Sequence, residues 1–271
     1  MALIEGDDGL LATEVGIWAK EKHDYLCRYV NICRETRRKY IGIGKGGAAY
    51  FDLFCATGRS KIRNTSEWIA GSAIAAWKTS VAGGVPFSAV YVSDIDQRSL
   101  DACVARLKAF DAPVVPIHAS AVEAAEQMVK SVNQYGLHFA FIDPYNLFDF
   151  NIIRSLNKLK RIDMLIHLSL MDLQRNLTRN LKAEESLFDT FAPGWRNVVD
   201  TAGSQTVVRQ RVIEYWRNQI ASLQIRPSTK QRLITGDKNQ PLYYLLLVAG
   251  HSLAHQFWKT AANPEGQEQL F

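Results

Sequence analysis

Apolar segments alternate with amphipathic segments between residues 49 and 170, and few architectures accommodate that order. The apolar segments are runs of Val, Ile, Phe and Leu without strict polar alternation, as in strands that are covered on both faces of a parallel sheet. The predicted strands are 49–55, 87–94, 113–119, 138–144 and 163–170, and the predicted helices are 65–79, 97–110, 121–134 and 148–159. Repeated strand–helix units predict a doubly wound, mostly parallel α/β sheet.

The two ends of the chain have other patterns. Residues 14–40 show apolar side chains at three- and four-residue steps, which predicts a helix, and a glycine-rich joint follows at 42–47. Later segments predict a helix at 205–222, an antiparallel edge pair at 229–235 and 241–250, and a last helix at 252–262. We therefore divide the chain into an N-terminal helical extension and linker (1–47), an α/β domain (48–262) and a tail (263–271).

Composition bounds the class of protein. A chain of 271 residues with 47% hydrophobic residues can form one sizeable core, and a net charge of +5 is compatible with a nucleic-acid partner without requiring one. The cysteines lack the spacing of a metal site; they are Cys27, Cys33, Cys55 and Cys103. No signal peptide and no membrane-length apolar run is recognised. We expect a cytoplasmic protein with reduced thiols, no bound metal and no membrane contact.

Carboxylates follow several of the predicted strands, at the edge where ligands bind in doubly wound sheets. Asp52, Asp94 and Asp143 are the main candidates. Asp94 suits the two hydroxyls of a ribose, whereas Asp96 is expected to cap the next helix. The first turn carries only Gly58, which argues against a dinucleotide and hence against a nicotinamide oxidoreductase. A ligand with one ribose and no phosphate fits better, and this indicates S-adenosylmethionine (SAM).

Residues 52–58, DLFCATG, resemble the D-L-F-A-G-T-G turn of class I SAM-dependent methyltransferases. Five segments together resemble the three-Cys-motif partner (TcmP) family: WAKEKHDYLCRYV (18–30), YFDLFCATGRS (50–60), FIDPYNL (141–147), LIHLSLMDLQRN (165–176) and YYLLLVAGHSL (243–253). The resemblance implies a class I methyltransferase-like (Rossmann-like) fold and a functional partner, the three-Cys-motif protein after which the family is named. The resemblance does not identify the molecule that would accept the methyl group.

The candidate site residues lie at the strand ends. The candidate cofactor contacts are Asp52, Phe54, Ala56, Gly58, Asp94, Ile95, Ala119, Ser120 and Asp143. Ala56 departs from the family turn, which has a glycine there. If this position needs a positive φ, alanine costs about 1 kcal/mol or more, and SAM binding is expected to be weak.

The candidate catalytic residues are Asp143 and Tyr145. The stretch DPY at 143–145 is similar to the [DNS]-P-P-[YF] motif of amino-methyltransferases, in which a polar side chain holds the target nitrogen and an aromatic ring stacks on its base. In the alternative interpretation Asp143 caps a helix and Tyr145 packs. Candidate substrate contacts are Asp172, Arg175 and Asn176 on one helical face, or else these residues form a surface salt bridge.

Two functions remain open from the sequence. The first is SAM-dependent methyl transfer to a nucleic acid or a protein-bound group. The second is a non-catalytic methyltransferase-fold protein that acts as a binding partner in a two-component complex, favoured by Ala56 and by the incomplete motif at 143–145.

Overall fold

The computed structural model describes residues 3–263. The strands are β1 (Leu3–Glu5), β2 (Leu11–Val15), β3 (Ala49–Asp52), β4 (Arg59–Ile62), β5 (Trp68–Ala70), β6 (Ala89–Asp94), β7 (Val114–His118), β8 (His138–Ile142), β9 (Ile162–Ser169), β10 (Arg226–Thr235) and β11 (Pro241–Ala249). The helices are α1 (Trp18–Ile32), α2 (Arg34–Arg38), α3 (Ser72–Ala82), α4 (Gln97–Lys108), α5 (Ala121–Ser131), α6 (Asn151–Leu156), α7 (Leu170–Arg175), α8 (Leu177–Lys182), α9 (Leu187–Phe191), α10 (Gln205–Ser222) and α11 (Ser252–Ala261). A short 3-10 helix covers Trp195–Asn197.

The main sheet has seven strands in the order β10-β11-β9-β8-β3-β6-β7. Its five predicted central strands are parallel to one another, and β11 runs antiparallel to both β9 and β10. The predicted parallel core and the antiparallel C-terminal edge pair are therefore confirmed. Pro116 lies in β7 at the free edge of the sheet, where a missing N–H costs no ladder hydrogen bond.

Helices cover both faces of this sheet, so each central strand is apolar on both sides. Adjacent residues of β3 point to opposite faces: Phe51 joins a core with α5, α6 and α10, whereas Tyr50 joins a core with α1, α3, α4 and α11. Both side chains are fully buried. This two-sided burial explains why the strands read as continuous apolar runs.

The N-terminal part of the chain differs from the prediction. Residues 3–15 contain β1 and β2 in addition to the helices, and helix α1 begins at Trp18 rather than near residue 14. These two strands join β4 and β5 in a second, four-stranded sheet with the order β1-β2-β4-β5. The strands are three to five residues long, too short to show a clear period. The division at residue 47 remains a prediction.

The predicted helix at 65–79 is wrong in its first part, since β5 occupies 68–70 and α3 begins at Ser72. In the sequence, Thr65 stands where the N-cap of a helix is expected. In the structure its hydroxyl donates to the carbonyl of Ile62 at 2.9 Å and accepts from the backbone N–H of Glu67 at 3.1 Å. These contacts close the turn between β4 and β5, because a threonine hydroxyl serves turns as well as caps.

The remaining elements end close to their predicted positions. Helix α10 has the predicted bounds. Helix α7 lies where Asp172 and Arg175 were placed on one helical face, and α9 occupies a segment for which no helix was predicted. Most of the predicted tail, residues 264–271, lies outside the described residues. Among residues 3–263, no helix combines the length and the apolar character needed to cross a membrane.

Candidate cofactor and acceptor site

A cavity of about 780 Å³ opens at the carboxyl edge of β3, β8 and β9. One face of α1 forms a wall, because Trp18, Ala19, Lys22 and His23 follow helical spacing and line the cavity together. The other walls come from the turn after β3, the segment after β8, helix α7 and the start of β11. The site therefore combines residues from the whole length of the chain.

The turn after β3 contains two residues in the left-handed region. Ala56 has φ 47° and Gly58 has φ 75°. Position 56 therefore does need a positive φ. Alanine in this conformation costs about 1 kcal/mol relative to glycine. A side chain at Gly58 would also be tightly packed, since a Cβ there would lie 3.1 Å from Sγ of Cys103 and 3.3 Å from Cγ1 of Ile74.

A second glycine completes this turn from a distant position in the sequence. The chain leaves the turn at Gly58, forms the β4–β5 hairpin, and returns at Gly71, whose N–H donates to the carbonyl of Gly58 at 2.8 Å. Gly71 is the N-cap of α3, so the N-terminus of that helix lies against the turn. Gly71 and Ser72 both line the cavity. The sequence analysis found no second glycine because the inserted hairpin separates the two.

A second cavity of about 400 Å³ is also lined by Ala56. Asp94 and Asp96 line it, together with Leu3 and Thr13 from the small sheet, and Ala56 and Thr13 line both cavities. The two spaces therefore adjoin at Ala56 and Thr13. One ligand that passes over Ala56 would occupy both of them.

Asp94 fixes the turn. Its Oδ2 accepts from the N–H of Ala56 at 3.0 Å, and its Oδ1 accepts from the N–H of Asp96 at 2.9 Å. Each oxygen keeps a further lone pair, so the carboxylate can still accept hydroxyl groups of a ligand. Asp96 caps α4 by accepting from the N–H of Arg98, as expected.

The small sheet is held over the second cavity by a buried arginine. Arg106 on α4 donates to the carbonyls of Thr57 at 2.5 Å and Leu11 at 2.7 Å. It also forms a two-point ion pair with Asp8, at 2.7 and 2.6 Å. Because Thr57 belongs to the turn, the β1–β2 hairpin and the turn are anchored to the same side chain.

Asp52 braces the turn from beneath and does not line either cavity. It is completely buried and accepts from the Ser72 hydroxyl at 2.6 Å, the Tyr50 hydroxyl at 3.2 Å and the Phe54 N–H at 3.3 Å. Burial raises the pKa of Asp52 to about 6, against the opposing effect of the Ser72 hydrogen bond. Asp52 therefore lies inside the protein, behind the turn, and not on the surface of either cavity.

The other cofactor candidates divide into two groups. Phe54 lines the larger cavity beside Ala56 and Gly58. Ile95, Ala119 and Ser120 follow β6 and β7 and line neither cavity; Ile95 is 75% exposed, and the Ser120 hydroxyl is engaged in the capping box of α5. Ile95 follows Asp94 at the end of β6, and Ala119 and Ser120 follow the end of the neighbouring strand β7.

Asp143 lies at the floor of the larger cavity in a cluster of polar side chains. One carboxylate oxygen pairs with Nζ of Lys22, and the other accepts from Nδ1 of His167 at 2.7 Å. Burial disfavours the charged carboxylate, but the Lys22 charge and the His167 hydrogen bond outweigh it and hold the pKa of Asp143 well below its usual range. Asp143 is therefore an anion that is already engaged at both oxygens.

Two buried polar atoms of this floor have no hydrogen-bond partner among residues 3–263. They are Nε2 of His167 and the hydroxyl of Tyr243, and the rings of these residues are 3.9 Å apart between centroids. Burial lowers the pKa of His167 despite the opposing effect of Asp143, and burial raises the pKa of Tyr243. Both side chains are thus neutral near neutral pH, with Nδ1–H of His167 donating to Asp143.

The rim of the cavity carries the remaining candidates. Tyr145 is 77% exposed, and Arg175 and Asn176 line the rim beside it. Asp172 is buried and accepts from the N–H of Leu147 at 3.2 Å and from the Asn176 amide. Within the described part of the chain, no carboxylate lies within ion-pair distance of Arg175, so the alternative of a surface salt bridge to Asp172 is not formed.

The sequence analysis missed Lys22, His167 and Tyr243 as site residues. All three fall in segments that carry the resemblance to the TcmP family, namely 18–30, 165–176 and 243–253. Their shared position inside these segments is the signal that could have identified them. No cluster of three or more His, Cys, Asp or Glu side chains that could hold a metal ion occurs in residues 3–263.

No protein-family profile matches the chain, and no curated protein sequence matches it. Among solved structures, the chain is similar to TYW2 of M. jannaschii in complex with AdoMet (11% identity, 87% of this chain and 76% of that one, TM-score 0.43). It is also similar to an O-methyltransferase of Bacillus cereus in complex with SAH (13% identity, 84% and 80%, TM-score 0.49).

A third similar structure is Trm1 of Pyrococcus horikoshii with S-adenosyl-L-methionine (10% identity, 89% of this chain and 57% of that one, TM-score 0.42). The fold is assigned from the main sheet. If its seven strands are numbered in chain order, they lie side by side as 3-2-1-4-5-7-6, and the seventh strand is antiparallel to both of its neighbours. The chain has the mixed α/β, Rossmann-like fold of class I methyltransferases.

Proposed function

We propose that this protein is a SAM-dependent methyltransferase that acts on a nucleic acid. The observation that carries the proposal is the position of Ala56 between two adjoining cavities at the carboxyl edge of the sheet, with Asp94 in the smaller one and Asp143 in the larger one. A ligand with a ribose at one end and a charged amino-acid portion at the other has the shape and the chemistry for this pair of spaces.

The residues present fit such a ligand. Asp94 has lone pairs left for the vicinal hydroxyls of the ribose. The N-terminus of α3 at Gly71 and Ser72 lies beside the larger cavity, and a helix N-terminus attracts a carboxylate. The bound cofactor would supply an electrophilic methyl group on a sulfonium. The chain's own residues would bind it, orient it and position the acceptor.

The rim supports a nucleic acid as acceptor. Tyr145 presents an exposed ring on which a base can stack, and Arg63 and Arg175 line the same cavity without a carboxylate partner in the described residues. Both arginines are exposed and can approach phosphates. The net charge of +5 adds to this attraction.

Calorimetric titration of the purified chain with SAM and with S-adenosylhomocysteine tests the first part of the proposal. Binding of both ligands is expected, and Arg63→Ala or Arg175→Ala should leave that binding unchanged while weakening retention of a fluorescent single-stranded oligonucleotide. Methyl transfer from radiolabelled SAM to RNA or DNA then tests the activity. Absence of binding to either cofactor form would refute the enzyme function.

A second candidate function is a non-catalytic partner in a two-component complex, with a three-Cys-motif protein as the partner that the family resemblance implies. Two observations favour it: the strained conformation of Ala56, and the engagement of both Asp143 oxygens by Lys22 and His167. In that case neither cofactor form binds, and the chain co-purifies with a co-expressed three-Cys-motif protein. Cofactor binding with methyl transfer by the isolated chain would exclude this candidate.

A further inference from the structure

We propose that the edge of the main sheet at which its parallel strands begin is a second binding surface, and that its occupant is a single-stranded nucleic acid held by its phosphates. Three segments form this surface, which we call the basic edge: residues 39–47, 130–137 and 157–161. None of their residues lines either cavity, so the proposal does not depend on the methyltransferase function.

The three segments of the basic edge converge because each leads into one of three neighbouring strands. They precede β3, β8 and β9, which lie side by side and parallel in the main sheet. Parallel strands begin at one common edge, and the cavities lie at the opposite edge, where these strands end. The basic edge is therefore a surface separate from the candidate cofactor site.

Contacts between the segments hold them together. The N–H of Leu137 donates to the carbonyl of Gly47 at 3.0 Å, and the Arg161 side chain donates to the carbonyl of Tyr135 at 2.9 Å. The Arg161 guanidinium also lies over the ring of Tyr40, 5.6 Å from its centroid. Each segment thus contacts the other two, and side chains from three distant parts of the sequence share one continuous surface.

Positive charge is the property that the three segments share. They contain six Lys or Arg residues and no Asp or Glu: Lys39, Lys45, Lys130, Lys158, Lys160 and Arg161. All six are exposed, and none forms an ion pair with a carboxylate in the described part of the chain. Since the whole chain has a net charge of +5, these six charges leave a net −1 for all other residues. The excess positive charge of the protein therefore lies at the basic edge.

The side chains of the basic edge match both parts of a nucleic-acid strand. Exposed lysines bind phosphates without reading the base sequence. Tyr135 is 56% exposed beside these cations, and its ring offers a face on which a base can stack. A base that is not already paired and stacked in a duplex makes that contact most readily. This combination of cations and an exposed ring favours a single strand.

An anionic membrane or an acidic protein would also be attracted by the charge, but each needs an apolar surface as well. A polybasic patch anchors a protein stably to a membrane only together with a lipid chain or a broad apolar face. A protein interface has an apolar, closely packed centre. Across the basic edge, all of which the structure describes, Ile43 is the one aliphatic side chain that is exposed. One side chain does not form such a face.

The test compares two triple variants that remove the same charge. The edge variant replaces three lysines of the basic edge with glutamine: Lys45→Gln, Lys158→Gln and Lys160→Gln. The control variant replaces three exposed lysines on α8, β10 and α11: Lys182→Gln, Lys230→Gln and Lys259→Gln. All six side chains are exposed, so both variants should fold as the wild type does, which circular dichroism checks.

Fluorescence anisotropy then measures binding to a labelled strand of about 20 nucleotides, longer than the roughly 4–16 nucleotides that one binding module covers. The strand is prepared as RNA, as DNA of the same sequence, and as the DNA duplex. We expect the edge variant to raise Kd for a single strand about tenfold or more and to make the dependence of log Kd on log salt shallower by up to about 2. The control variant should bind as the wild type does. Comparison of the two single strands shows whether RNA, DNA or their shared phosphate chemistry is recognised.

Tyr135 is tested separately from the charges. Tyr135→Ala should weaken binding of the single strand and leave binding of the duplex unchanged, whereas Tyr135→Phe should restore single-strand binding because it keeps the ring. A strand that carries a photoreactive uracil should crosslink to Tyr135 in the wild type. The position of that crosslink identifies the surface directly.

Several outcomes would overturn the proposal. Equal losses in the edge and control variants would show that only the total charge matters. Crosslinks at Tyr145 alone, or a duplex that binds as tightly as the single strand, would exclude a single-strand site at the basic edge. Phosphatidylserine vesicles or polyglutamate that bind through the three edge lysines, without any binding of the oligonucleotides, would assign the surface to a membrane or to an acidic protein. Failure to bind SAM would refute the function proposed above without touching this result, since the anisotropy experiment contains no cofactor.

Discussion

The backbone N–H of Gly71 donates a 2.8 Å hydrogen bond to the carbonyl of Gly58, across a β-hairpin that separates them in the sequence. A Cβ at Gly71 would lie 2.8 Å from both Cα and the carbonyl carbon of Gly58. The contact closes the hairpin at its base and sets the N-terminus of α3 against the turn. The candidate cofactor turn is therefore formed by two segments of the chain.

Gly71→Ala should destabilise the protein, because its methyl group would meet backbone atoms that cannot rotate away. Overpacking of this kind costs about 1–3 kcal/mol in the free energy of unfolding. The same change should weaken SAM binding by moving the turn. Gly250→Ala is the control, since a Cβ there meets only Cγ2 of Ile225 at 3.7 Å. Urea denaturation and calorimetry measure the two effects, and equal stability of the two variants would contradict the expectation.

Ala56→Gly should tighten SAM binding. Glycine opens space between the two cavities, so the expected gain is about 1 kcal/mol, or roughly fivefold in Kd. It also removes the left-handed strain of a residue with φ 47°, which raises the stability of the free and the bound protein alike. Asp111→Gly, with φ 54° and a position at the end of α4, relieves the same kind of strain away from both cavities. It should leave the affinity unchanged. Tight binding by the wild type that weakens in Ala56→Gly would show that the alanine side chain contributes to the site.

Asp94→Ala should weaken SAM binding at least tenfold, or about 1.4 kcal/mol, since it removes the ribose acceptor and the hydrogen bond that holds the Ala56 N–H. Asp149→Ala is a matched control. Asp149 accepts from the N–H of Asn151 at 2.7 Å in the loop before α6 and lines neither cavity. Calorimetric titration of both variants with SAM distinguishes them. An unchanged affinity in Asp94→Ala would remove Asp94 from the site.

Asp52→Asn should change how stability depends on pH. Burial gives the folded carboxyl a pKa of about 6, above its unfolded value of about 3.9, so ionisation of Asp52 opposes folding. This penalty appears as the pH rises through that interval and is complete above it. The free energy of unfolding of the variant, relative to wild type, should therefore rise by up to about 3 kcal/mol between about pH 4 and pH 8. Urea denaturation across this range measures it, and a constant difference would contradict the buried, raised state.

Lys22→Met should destabilise the protein by about 3–5 kcal/mol near neutral pH, because it leaves the buried Asp143 charge without its partner. The folded pKa of Asp143 lies below its unfolded value, so the stabilisation is present above about pH 4 and is lost as the pH falls further. The deficit of the variant should shrink accordingly in acid. Lys20 lies on the same helix as Lys22 and forms an exposed ion pair with Glu67. Lys20→Met breaks that pair and should cost less than about 1 kcal/mol. Similar losses in both variants would contradict a buried pair.

The strand–helix repeats were predictable because burial on both faces of the sheet makes each strand a continuous apolar run in the sequence. Each central strand is an apolar run, and two of the helices between them have a side-chain cap that is visible in the sequence, Asp96 before α4 and Ser120 before α5. The hairpin after residue 225 was equally local, with a short polar turn between two strands. Asp94 and Asp143 were found because strand ends in a parallel sheet converge at one edge.

The rest depended on contacts between distant residues. The strands of the small sheet have three to five residues and are ordered by pairing with one another and by Arg106, not by their own pattern. Gly71 belongs to the turn only because the hairpin folds back. The floor of the cavity joins Lys22, Asp143, His167 and Tyr243 from four separate elements. The sequence by itself determined the sheet and its carboxylate edge, since burial and caps act over a few residues. Only the tertiary structure decided the partners of Asp143 and the tautomer of His167, because those depend on which distant side chains share a buried space.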